Sequence, residues 1–67
     1  MPAIYVKQVL SELKENGFYE LDNRTNGSHH RYTDGKGHYV TVAYHGLKDV
    51  IPPGTYKSIK RQMGVIV

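Results

Sequence analysis

Hydrophobic residues recur with a helical period near both ends of this chain. Over residues 4–16 they return every three or four positions, with charged residues between them, which predicts an amphipathic helix. Gly17 follows where this helix should end, because glycine adopts the left-handed conformation of a helix terminus at little cost. A second amphipathic helix is predicted over residues 54–63, with Thr55 as its N-cap and Gly64 as its terminator.

The middle of the chain shows the alternation of polar and apolar residues that is typical of β-strands. Three strands are predicted, over residues 18–24, 28–33 and 38–44. The dipeptide Asn26-Gly27 predicts a tight hairpin turn before the second strand, because a type I′ turn needs positive φ at both central positions. A glycine-rich turn at residues 34–37 precedes the third strand.

These elements predict a single α+β domain over residues 1–67. Three strands joined by turns form an antiparallel meander, and so small a sheet is stable only if one face is covered. Two amphipathic helices on the same face would cover it and leave the other face open. The order α-β-β-β-α is that of the double-stranded-RNA-binding fold.

Length and composition limit the kinds of site that this domain can build. A chain of 67 residues buries a small core, so an active site must lie on a surface or in a shallow cleft. The absence of cysteine excludes disulfides, thiolate metal sites and cysteine nucleophiles. The N-terminus does not have the pattern of a signal peptide, and no apolar run approaches the roughly 20 residues of a membrane span. We therefore expect a cytoplasmic protein that does not associate with membranes.

Charge is distributed unevenly along the chain, whose formal net charge is +3. Residues 1–23 carry two lysines against four acidic residues, whereas residues 24–67 carry seven lysines and arginines against two acidic residues. A basic half on a small domain indicates a polyanionic partner, and nucleic acid is the first candidate. A solvated surface that only keeps the protein soluble is the alternative.

A metal site is the first hypothesis that the four histidines raise. His29 and His30 are adjacent on a predicted strand, so their side chains point to opposite faces and cannot easily share an ion. The nearby acids Asp34 and Asp49 lie in predicted loops without ligand spacing. We therefore expect no metal and no other cofactor.

Acid–base chemistry on RNA suits a histidine better than metal binding does. Imidazole exchanges protons near neutral pH, and RNA supplies its own nucleophile in the ribose 2′-hydroxyl. His29 follows a tight turn with exposed amides, and Arg31 lies two residues further, on the same face of the strand. His45, at the end of the third strand, is the candidate second proton carrier. His30 is expected to pack or hydrogen-bond locally, and His38 to be a solvated surface residue.

The face of the sheet on which His29 lies depends on the pairing register of the strands. A change of one residue in the second turn would exchange the facing residues of the third strand. The sequence therefore leaves open whether His29 and Arg31 lie on the open face.

An ordered set of motifs resembles the HicA (YcfA-like) toxin family over residues 4–64. The set comprises Gly17-Phe18, Gly27-Ser28-His29-His30, Asp34-Gly35, Val40-Thr41-Val42 with His45 after it, and Pro53-Gly54-Thr55 before a lysine-rich helix that ends at Gly64. The resemblance implies a double-stranded-RNA-binding-like fold, ribosome-independent cleavage of mRNA, and a HicB-type antitoxin as protein partner. It also implies that His29, not His30, is the catalytic histidine.

The leading hypothesis is therefore a toxin endoribonuclease of a type II toxin–antitoxin system. In it, His29 acts as general base or acid, and the backbone of Gly27 with Ser28 orients the scissile phosphate. The side chains expected to hold phosphates are Arg31, Lys57, Lys60 and Arg61. A non-catalytic RNA-binding module of the same fold is the alternative, since basic charge and tyrosines serve both. A third hypothesis is an interaction domain whose open sheet face docks a protein.

Overall fold

The computed structural model describes residues 3–22 and 27–64. In chain order the elements are β1 (Ile4–Tyr5), α1 (Val6–Glu15), β2 (Tyr19–Glu20), β3 (His29–Thr33), β4 (Tyr39–Ala43), β5 (Val50–Ile51) and α2 (Pro53–Gln62). Strands β2, β3 and β4 form an antiparallel sheet in that order. The predicted α-β-β-β-α layout and α+β class are thus confirmed.

A second, two-stranded sheet was not predicted from the sequence. Ile4 pairs with Ile51 and Tyr5 with Val50, so the start of the chain is joined to the segment before α2. This pairing delays the first helix, which begins at Val6 rather than at residue 4.

The hydrophobic core lies between one face of the three-stranded sheet and the two helices. The sheet contributes alternate residues of β3 and β4, and each helix contributes its apolar stripe. The buried hydrophobic residues are Val6, Val9, Leu13, Phe18, Tyr32, Val40, Val42, Ile51, Ile59 and Met63. With both helices packed against one face, the other face of the sheet is not covered by them.

The helix ends differ in part from the prediction. Gly17 and Gly64 have φ of 83° and 81°, as expected of residues that follow a helix. The N-cap of α2 is Pro52 and not Thr55, which lies inside the helix. Pro53 occupies the first helical position, where its fixed φ suits the helix and its missing N–H costs nothing. The expectation of Thr55 as N-cap is therefore wrong.

The first predicted strand is only partly described. Within residues 18–22 the strand comprises Tyr19–Glu20, and its predicted end at residues 23–24 lies outside the described residues. The same holds for Asn26 of the predicted hairpin turn, while Gly27 has the positive φ, 61°, that the turn requires.

Candidate functional site

The pairing register places His29 and Arg31 on the open face of the sheet. His29 pairs with Ala43 and Arg31 with Thr41, and all four residues are exposed. The residues of β4 that alternate with Thr41 and Ala43 are Val40 and Val42, and these point into the core. Because side chains alternate along a strand, the histidine and the arginine lie on the face opposite the helices.

His29 is the first residue of β3 and follows the turn residues Gly27 and Ser28. The backbone N–H of Tyr44 donates to the carbonyl of Ser28 at 2.9 Å, so the ladder continues one pair beyond His29 and Ala43. In an antiparallel ladder the His29–Ala43 pair is then a closely spaced, non-hydrogen-bonded pair. Since Ala43 carries only a methyl group, the side chain paired with His29 is small, and the imidazole is accessible from the open face.

His30 points to the other side of the sheet and is held there. Its Nδ1 lies 2.8 Å from Oε2 of Glu20, and its ring stacks on Tyr44 with centroids 4.0 Å apart and planes 13° apart. The hydroxyls of Tyr44 and Tyr32 are 3.0 Å apart, and burial with this contact raises the pKa of Tyr32. The expectation that His30 packs and hydrogen-bonds locally is confirmed.

The His38 side chain contacts its neighbours at the end of the sheet opposite to His29. Its Nδ1 lies 2.8 Å from Oδ2 of Asp34, and its Nε2 would be 2.8 Å from a Cβ added to Gly64. Burial alone would raise the pKa of Asp34, but hydrogen bonds from the Lys36 N–H and from His38 lower it overall. His38 thus connects the second turn to the end of α2, and is more than the solvated residue expected.

His45 lies in the loop after β4, at the end of the sheet where β3 begins with His29. Continuing the register of β3 and β4 puts position 45 opposite Gly27. Its backbone N–H donates to Oδ2 of Asp49 at 2.9 Å, and that bond with the one from Gly46 lowers the pKa of Asp49. The side chain of His45 is exposed.

The cations of α2 are not on the open face with His29. Lys57 and Arg61 are exposed, while Nζ of Lys60 donates to Oε2 of Glu12 at 3.0 Å. Helix α2 packs on the covered face of the sheet through Ile59, next to β4. Its cations are therefore separated from the open face by the outer edge of β4. The structure therefore brings Arg31 beside His29 but leaves the three helical cations on a separate surface.

Two tyrosines that the sequence analysis did not single out lie on the same face as His29. Tyr19 pairs with Thr33, and Thr33 pairs with Tyr39, so the three residues form one row across the sheet. The two residues are 56% and 63% exposed. Alternation along β4 could have placed Tyr39, but the position of Tyr19 depends on the β2–β3 register.

Within residues 3–22 and 27–64, neither helix is long and apolar enough to cross a membrane. The same residues contain no group of three or more histidine and acidic side chains arranged to hold a metal ion.

Comparison with known proteins identifies the family. The family model described as the HicA toxin of bacterial toxin–antitoxin systems matches residues 6–65, which is nearly the whole chain. A search of curated proteins gave no match. The chain therefore belongs to the HicA toxin family, whose members are toxins of bacterial toxin–antitoxin systems with ribonuclease activity.

Proposed function

We propose that this toxin is a metal-independent endoribonuclease that cuts mRNA without the ribosome and uses His29 to move the proton. The observation that carries the proposal is the state of the imidazoles. Those of His30 and His38 are each engaged by a carboxylate at 2.8 Å. The rings of His29 and His45 are both exposed, and neither makes a hydrogen bond to another described residue. Of these two, His29 shares the open face of β3 with the cation Arg31, whereas His45 lies in the loop after β4.

The proposed reaction uses the ribose 2′-hydroxyl as nucleophile. His29 takes its proton as the oxygen attacks the adjacent phosphate, and the bond to the 5′-oxygen of the next nucleotide breaks. The products are a 2′,3′-cyclic phosphate and a 5′-hydroxyl, with His45 as the proposed donor of the second proton. A positioned acid or base contributes roughly 10²- to 10⁴-fold in rate, which is within reach of a surface site.

Arg31 and the turn are the proposed phosphate contacts. Arg31 lies two residues from His29 on one face of β3, about 7 Å along the strand, which suits a guanidinium holding the phosphate next to the cleaved one. The backbone N–H of Gly27 and the hydroxyl of Ser28 would orient the scissile phosphate. Lys57, Lys60 and Arg61 are proposed to hold more distant parts of the RNA, around the edge of β4.

The proposed protein partner is a HicB-type antitoxin, and the proposed compartment is the cytoplasm. An antitoxin could neutralise this surface most simply by covering His29 and Arg31. Because the domain is basic, an acidic surface on the partner would complement it.

Analysis of the cleavage products tests the mechanism. Purified toxin should cut a single-stranded mRNA fragment in EDTA, leaving 2′,3′-cyclic phosphate or 3′-phosphate ends and 5′-hydroxyl ends. Fragments with 5′-phosphates, or cleavage that stops in EDTA and returns with Mg²⁺, would overturn it. Binding without any cleavage would favour the non-catalytic RNA-binding module, for which the open face is equally suited.

A further inference from the structure

The open face carries an aromatic row in addition to His29 and Arg31. Tyr19 and Tyr39 flank Thr33 in register on neighbouring strands, and both rings are more than half exposed. Thr33 beneath them is buried, and its hydroxyl donates to the carbonyl of His38 and accepts from the N–H of Gly35. The row therefore rests on a fixed part of the sheet.

The row is aligned with the proposed catalytic residues along β3. Thr33 is four residues from His29, about 13 Å along the strand, and Arg31 lies midway between them on the same face. Imidazole, guanidinium and aromatic rings thus follow one another in a line across an uncovered surface. A few nucleotides of extended RNA span such a distance.

We propose that Tyr19 and Tyr39 form a base-stacking subsite for single-stranded RNA, a few nucleotides from the phosphate that is cut. Exposed aromatic rings on sheets stack splayed bases in a sequence-tolerant way, and the guanidinium between the rings and His29 complements the phosphates that join them. Bases inside a duplex are stacked on each other and cannot reach the rings. The proposal rests on the proposed function and defines its substrate as an unpaired strand.

The experiment measures binding in a His29→Ala background, so that the RNA stays intact. The probe is a single-stranded oligoribonucleotide with 2-aminopurine at successive positions, because stacking on an aromatic ring quenches its fluorescence. The variants are Tyr19→Leu and Tyr39→Leu, with Tyr19→Phe and Tyr39→Phe as ring-preserving controls. Tyr5→Leu is the matched control, since Tyr5 is also exposed but lies on β1 in the other sheet.

Each leucine variant should weaken binding roughly five- to tenfold, the lower end of what a stacked base contributes, and abolish the quenching at one probe position. The phenylalanine variants and Tyr5→Leu should bind like their parent. Thermal unfolding should be similar in all variants, because the replaced rings are exposed.

Affinity that is unchanged in both leucine variants would overturn the subsite. Loss of antitoxin binding with unchanged RNA affinity would also overturn it, since the row would then be a protein-docking surface. Cleavage by the His29-containing protein is measured separately with a matched unlabelled RNA. The proposed function can therefore fail in that assay while the binding assay still decides whether the tyrosines stack bases.

Discussion

Glu12 joins the two helices through both of its carboxylate oxygens. Oε1 accepts the hydroxyl proton of Tyr56 at 2.6 Å, and Oε2 accepts from Nζ of Lys60 at 3.0 Å. Glu12 lies on α1 and both partners lie on α2, 44 and 48 residues away along the chain. Replacing Glu12 with Ala should therefore weaken the attachment of α2 to the rest of the domain.

The expected loss is moderate because the pair is partly exposed. The side chains of Lys60 and Glu12 are 26% and 31% exposed, and an ion pair with such access to water contributes up to about 1 kcal/mol. The hydrogen bond from the Tyr56 hydroxyl to this carboxylate adds about 1 kcal/mol, less than the roughly 1.5–3 kcal/mol typical of hydrogen bonds to charged groups, because the contact is only partly buried. Glu12→Ala should thus cost about 1–2 kcal/mol, which lowers the Tm of so small a domain by roughly 5–15 °C.

Thermal and urea unfolding of Glu12→Ala, Lys60→Met and the double variant measure the coupling. Glu15→Ala is the matched control, since Glu15 is an exposed acid on the same helix. A coupling energy within about 0.3 kcal/mol of zero between positions 12 and 60 would mean that this pair does not hold the two helices together. So would a Glu12→Ala variant as stable as Glu15→Ala.

The pH dependence provides a second measurement of the same contact. The hydrogen bond to Glu12 is the main cause that raises the pKa of both Tyr56 and Lys60 in the folded protein. A raised folded pKa means stability that is complete below the unfolded value, near 10 for both groups, and lost as the pH rises through the folded value. Unfolding measured between pH 8 and 11 should therefore show a steeper alkaline loss in the wild type than in Glu12→Ala.

Three further outcomes follow from the structure. Gly64→Ala should lower the free energy of unfolding in urea by about 1–2 kcal/mol, because φ is 81° and the new Cβ would lie 2.8 Å from the His38 side chain. The control Gly54→Ala, in open space on α2, should not destabilise the protein, and equal stability of the two variants would contradict the prediction. Because hydrogen bonds from the Lys36 N–H and from His38 lower the folded pKa of Asp34, its carboxylate stabilises the fold above about pH 4 and loses that effect as the pH falls. Asp34→Asn should flatten this acid limb, and an unchanged limb would count against the contacts of Asp34 with Lys36 and His38. Lys57, Lys60 and Arg61 should be replaced together with Ala, and the slope of log binding constant against log salt concentration should then fall by roughly two units if all three touch phosphate, at about 0.7 per contact. An unchanged slope with loss of antitoxin binding would assign these side chains to the protein partner.

The sequence predicted the elements that have a strong periodic signal. Helix α1 and strand β4 were found within two residues, since the alternation of Val40 and Val42 and the period of α1 reflect burial directly. Strands β1 and β5 have two residues each, too few for any period. The N-cap of α2 was predicted at the wrong residue because Pro53 begins the helix through its fixed φ, without a polar capping side chain such as that of Thr55.

The residues of the candidate site could be proposed from the sequence, but the face of the sheet on which they lie could not. That His29 and Arg31 share a face follows from their spacing, whereas the identity of that face depends on the register between β3 and β4. The bond between Lys60 and Glu12 joins positions 48 residues apart and leaves no local signal. Long-range pairing therefore determines which cations lie near His29, and only the structure reveals it.

The cleavage rate of His29→Ala shows whether this imidazole moves the proton in the reaction. The comparison variant is His45→Ala, which removes the proposed donor of the second proton, and single-turnover cleavage of one RNA should be measured at equal binding saturation. His29→Ala should lose roughly 10²-fold or more in cleavage rate, with an unchanged fold, and His45→Ala should lose less. Cleavage by His29→Ala at the wild-type rate would mean that His29 does not carry the proton.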